Sequence, residues 1–106
     1  MKAQMTTPTV PAGLSDRSKG LWIEITRTRA KSPGRLALLQ VALEALDRAD
    51  EASRLLAEQG LLVKTKTTGA VHLNPLAKLE RESRQLFVRC WAALRLEWDG
   101  RVDGHR

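Results

Sequence analysis

The spacing of apolar positions changes character along the chain and divides it into five elements. Leu21, Trp22 and Ile25 recur at helical spacing within a stretch that opens at Ser15 and fades near Arg29. Ser15 suits an N-cap, and Asp16 in the first turn favours the positive end of the helix dipole. Ser32-Pro33 predicts a second helix start, because a proline at the first helical position lacks only an N–H that has no intrahelical partner. From there Leu39, Ala42, Leu46, Ala49 and Leu56 step by three and four, and Leu38, Leu43, Ala45, Ala52 and Leu55 widen the stripe. A stripe that broad predicts contact with more than one neighbouring helix. Gly60 is placed to end this helix as a left-handed residue.

After Gly60 the period switches. Leu61-Leu62-Val63-Lys64-Thr65, then Lys66-Thr67-Thr68-Gly69, then Ala70-Val71-His72-Leu73 predicts a short β-hairpin over about 61–73, with Gly69 in the turn. Asn74-Pro75 repeats the cap-plus-proline start, and Leu76, Leu79, Leu86, Phe87, Cys90 and Leu94 lie on one face of a third helix expected to end near Trp98. Leu94 and Trp98 share a face at i,i+4, so Trp98 is expected to pack on the end of the core. Residues 1–13, rich in Thr and Pro, read as a flexible arm, and residues 99–106 as a short polar tail. The expected fold is mainly α: a short N-terminal helix and two long antiparallel helices joined by a small hairpin, one domain over 14–98.

Size adds a constraint. A chain of 106 residues buries only about two thirds of its unfolded surface, so association with further copies would help it. Charge adds another. The balance is +6, and twelve of the eighteen basic residues are arginine, the side chain whose planar fork donates two hydrogen bonds to a phosphate. The single cysteine, Cys90, allows no internal disulfide and no thiolate cluster, which suits a reducing cytosol. No apolar run approaches the roughly 18–20 residues of a membrane span, and residues 1–13 have no signal-peptide core.

No constellation for catalysis is visible. A Gly-rich phosphate loop is missing, His72 and His105 stand alone, and Cys90 falls on an apolar helix face. The acids Glu44, Asp47, Asp50, Glu51 and Glu58 alternate with Arg48 and Arg54 as on a solvated, salt-bridged helix face. The expectation is a chain without enzymatic activity, metal or cofactor.

Two basic groups stand apart from acids in the sequence. Arg17, Lys19, Arg27, Arg29, Lys31 and Arg35 are opposed only by Asp16 and Glu24, and Lys64 and Lys66 lie in the acid-free stretch between Glu58 and Glu80. Basic side chains on loops, beside the open N–H groups of a helix start, suit phosphate binding. Arg27, Arg29, Lys31 and Arg35 are the first candidates for DNA contact, with Lys64 and Lys66 second. The third helix mixes Lys78, Arg81, Arg84, Arg89 and Arg95 with Glu80, Glu82 and Glu97, and its Glu80–Arg84 pair points to a structural role.

Several segments, in order, resemble the P27 family of phage terminase small subunits. They are Pro11-Ala12-Gly13-Leu14-Ser15 followed by Leu21-Trp22 and Ile25, then Glu58-Gln59-Gly60-Leu61-Leu62-Val63, then His72-Leu73-Asn74-Pro75-Leu76-Ala77-Lys78. The likeness extends over about Pro11 to Leu96. The chain departs from the family pattern at Arg35, where an acidic residue is common, and at Leu94 to Gly100, which replaces a Gly-Leu-Thr-Pro-like segment. The resemblance implies a helical protomer that assembles into a ring, binds double-stranded viral DNA and recruits the large ATPase-nuclease subunit in the host bacterial cytoplasm. Two other classes fit the residues: an interaction adaptor without direct DNA binding, and a small DNA-binding transcriptional regulator.

Overall fold

A computed structural model describes residues 8–95. They form a mainly helical structure with one small two-stranded sheet: α1 (Asp16–Thr28), α2 (Pro33–Gln59), β1 (Leu62–Lys64), β2 (Val71–Leu73) and α3 (Pro75–Leu94). The capping signals act where the sequence placed them. The Ser15 hydroxyl accepts from the Ser18 N–H, Ser32 from Arg35 N–H and Asn74 from Leu76 N–H. Gly60 ends α2 with φ +91° and ψ 157°. That is a glycine conformation, but an extended one rather than the left-handed helical one expected. It turns the chain straight into β1. The hairpin is antiparallel with Leu62 opposite Leu73, Val63 opposite His72 and Lys64 opposite Val71. α3 stops at Leu94, with Arg95 in the left-handed region at φ 55°. The helix thus ends before the expected Trp98, because the left-handed Arg95 breaks it, and the packing expected of Trp98 lies outside the described residues.

α2, at 27 residues about 40 Å long, is the axis on which everything else is built. Its two ends fix α3 antiparallel to it: Arg35 near the start of α2 donates to the Leu94 carbonyl, and Gln59 at its end accepts from the Asn74 side chain. α1 lies along the first half of α2. Leu39, Ala42, Leu43, Ala45, Ala49 and Ala52 are fully or almost fully buried. The small alanine side chains leave room for helices on two sides of α2. The alanine-rich centre of the stripe is therefore covered within the chain, by α1 and α3, while Leu38, Leu55 and Leu56 stay half-buried.

The main cluster joins Trp22 and Ile25 of α1, Leu39, Leu43 and Leu46 of α2, Leu94 of α3, and Leu14 and Ala30 from the flanking loops. Val10 packs against its edge, and the Trp22 indole N–H donates to the Pro8 carbonyl at 3.2 Å. Thus Pro8 to Gly13, expected to belong to a flexible arm, is held on the core through Val10 and the Pro8 carbonyl. Residues 1–7 of that arm lie outside the described residues. Phe87 and Trp91 of α3 stack with centroids 5.1 Å apart at the rim of the same cluster.

Asp47 fastens the start of α1 to the middle of α2. Its carboxylate accepts the Ser15 N–H at 2.8 Å, the Ser15 hydroxyl at 2.8 Å and the Ser18 hydroxyl at 2.6 Å. It thus serves as a second cap at the positive end of α1, where the sequence suggested a solvated acid. Partial burial pushes its pKa up, but the hydrogen bonds from Ser18 and Ser15, with the charge of Arg17, outweigh this and hold it below the ordinary 3.8. A carboxylate with a depressed folded-state pKa stabilises the fold above its unfolded pKa, and the contribution is lost as pH falls through the folded value. Asp47→Ala leaves the buried Ser18 hydroxyl without its acceptor and is expected to cost about 2 kcal/mol at neutral pH. Urea titrations of both proteins should show the gap closing below about pH 4. A gap of equal size at pH 7 and pH 2.5 would refute this role.

Candidate nucleic-acid interface

The tertiary structure separates the six residues named for DNA contact into three groups. Arg27, Arg29 and Lys31 stand exposed at the α1–α2 junction. Lys64 and Lys66 stand exposed on the hairpin, at the opposite end of α2. The sequence offered them as two clusters, and the fold keeps them apart. Arg35 belongs to neither. Its guanidinium donates to the Leu94 carbonyl at 2.5 Å, and its Nε is buried without a partner. A cation there meets the negative end of the α3 dipole. This assigns Arg35 to closing the end of α3. It also accounts for an arginine near the start of α2, where helix electrostatics alone favour an acid.

Several charges that are unopposed in sequence are opposed in space. Arg27 pairs with Glu24 at 2.7 Å, three residues away on α1. Arg17 pairs with Asp50 of α2, and Arg84 of α3 reaches the same carboxylate at 3.5 Å. Asp50 therefore draws α1 and α3 together across α2. Arg84 also holds Glu80 at 3.3 Å, the pair expected from the sequence. Arg54 binds Glu51 at 2.5 Å and Glu58 at 2.7 Å on the outer face of α2. The pKa of Glu51 is lowered by its hydrogen bond from Arg54. Among the described residues Lys31, Lys64 and Lys66 make no salt bridge, so their charge remains available to an anionic partner.

The hairpin carries more than charge. Leu62, Leu73, Lys64 and Val71 face the same side, because directly paired residues in an antiparallel ladder share a face. Leu62 is 63% exposed, Val71 62% and Leu73 53%. The connecting segment is polar and tightly folded. Gly69 at φ +75° donates its N–H to the Thr65 carbonyl, and the Ala70 N–H donates to the Thr68 hydroxyl. At the base, Asn74 ties the hairpin to the end of α2 through Gln59 and the Gly60 carbonyl. His72 lies 3.3 Å from the Thr65 hydroxyl on the exposed hairpin. The result is a firmly anchored projection with an uncovered apolar side and a Lys/Thr tip. A two-stranded sheet is marginal in water unless something packs on it.

Cys90 is buried on the α3 face turned to the core, and among the described residues no group of three His, Cys, Asp or Glu side chains is arranged to hold a metal ion. No helix among them is long and apolar enough to cross a membrane. The sequence did not flag the apolar face of the hairpin as uncovered, although alternate apolar residues in so short a sheet carried the signal. Comparison with family models, curated proteins and solved structures finds no match to this chain.

Proposed function

We propose that this chain is the small subunit of a phage terminase, a non-enzymatic protein that self-associates into a ring, binds viral duplex DNA and recruits the large motor subunit. The observation that carries the reading is the hairpin. An apolar face left more than half exposed calls for a covering partner, and the lysines beside it make no salt bridge among the described residues. The ordered resemblance of the sequence to P27-family small subunits supports the same reading. Apolar surface covered by a second copy and cations left for phosphate are what a DNA-binding homo-oligomer requires.

DNA is held through its phosphates by Arg27, Arg29 and Lys31 at one end of the protomer, with Lys64 and Lys66 at the other as the second set. In a closed ring each subunit presents two different faces to its neighbours. The hairpin is one of them.

The test is solution mass by light scattering, at low and moderate salt, with and without duplex DNA. A single closed oligomer larger than a tetramer, gaining mass with DNA only at low salt, is expected. Leu62→Ser with Val71→Ser should break that oligomer down. A monomer or dimer that ignores DNA at both salts would overturn the reading and favour an adaptor whose hairpin docks on a different protein.

A further inference from the structure

α3 has a solvent face that its folding does not explain. Ser83, Cys90 and Leu94 are buried against the rest of the fold. At 100° per residue, Val88 lies on the side opposite to them. Val88 is nonetheless apolar and 60% exposed. A β-branched residue on the outside of a helix weakens it slightly and gains nothing from burial. Its neighbours are Arg84, Gln85 and Arg89, with which it lines a shallow open depression. Arg81, Gln85 and Arg89 follow one another at intervals of four, all exposed. Arg81 and Arg89 make no salt bridge among the described residues; Glu80 holds Arg84, while Glu82, the one acid on this face and on the same side of the helix as Arg89, lies 3.9 Å from Lys78. The face is therefore cationic and planar-donor-rich, with one apolar contact in its middle.

We infer that this outer face of α3 enters the major groove of duplex DNA, with Arg81, Gln85 and Arg89 reaching base edges and Val88 meeting a thymine methyl. The inference rests on the proposed DNA-binding function and adds a sequence-reading surface to it. From Arg81 to Arg89 the helix advances about 12 Å, which spans three to four base pairs at roughly 3.4 Å each. The groove admits one α-helix, arginine pairs two-pronged with guanine, and glutamine does so with adenine. The side toward Arg84 is the edge nearest α1, because Arg84 and Arg17 share Asp50. The opposite edge, with Gln85 and Arg89, is the open one.

The experiment selects sequences from a random duplex pool with the full chain. It then compares affinity for the selected duplex and a scrambled one. The wild type should enrich a motif with a guanine and an adenine inside a four-base-pair window. Gln85→Ala and Arg89→Ala should each weaken the selected duplex about 5- to 150-fold and the scrambled one far less. Arg89→Lys, which keeps the charge and the fold but loses the fork, should lose the preference while keeping scrambled-duplex binding. Arg29→Ala with Lys31→Ala should weaken both duplexes alike. If the α3 variants retain the motif, or weaken both duplexes equally, α3 does not read bases, and the proposed DNA-binding function stands without it. If the wild type binds no duplex even at low salt, both fall together.

Discussion

Trp22→Ala should lower the unfolding free energy by about 3–5 kcal/mol, the largest single loss expected in the chain. The residue is only 3% exposed and lies at the centre of the cluster that joins all three helices. Removing the indole leaves a void bounded by side chains from α1, α2 and the Leu14 loop, and it deletes the donor to the Pro8 carbonyl. A domain of this size has a total stability of roughly 5–15 kcal/mol, so the variant sits close to unfolding at room temperature. Equilibrium denaturation followed by circular dichroism measures it. Trp91→Ala is the control. Trp91 lies half-buried at the rim against Phe87, and its loss should be clearly smaller. Equal losses for the two would mean that α1 is not docked through Trp22 as described.

Duplex affinity should fall by about 10³-fold or more between 50 and 200 mM salt, provided that six or more phosphates are neutralised across the assembled subunits. Counterions condensed on the duplex are released when lysine and arginine replace them, and added salt removes that gain. In the proposed function Arg27, Arg29, Lys31, Lys64 and Lys66, exposed at the two ends of α2, supply the charge. Double charge reversal at either end alone separates them. The end that touches DNA should reduce the slope of log affinity against log salt by about one for each contact removed. Arg35→Gln should behave differently, costing stability with little change in slope, because its guanidinium is spent on the Leu94 carbonyl. A salt-insensitive affinity would remove the phosphate-binding basis of the proposed function.

The sequence by itself determined the order of the elements and where the three helices start. Ser15, Ser32 and Asn74 became the three caps, Pro33 and Pro75 the first residues of α2 and α3, and Gly60 and Gly69 two of the positions of positive φ. These signals work because a cap, a proline or a glycine acts on backbone within about four residues of itself. The alanine-rich stripe of α2 also predicted contact with more than one helix. Only the tertiary structure decided which ones: α1 and α3 of the same chain cover its centre.

The rest depended on partners distant in sequence. Asp47 meets Ser15 and Ser18 from 32 and 29 residues away, and Arg35 meets the Leu94 carbonyl across 59. Charges that looked unopposed along the chain found Asp50 or a helix end in space, while Lys31, Lys64 and Lys66 make no salt bridge among the described residues. The open face of α3 likewise emerges only when the fold shows which side of the helix is buried. Hydrophobic periodicity states that a helix has an inner and an outer face, since it depends on the 3.6-residue turn alone. Which polar side chains on the outer face remain unpaired depends on what the fold brings next to them, and that is a property of three dimensions.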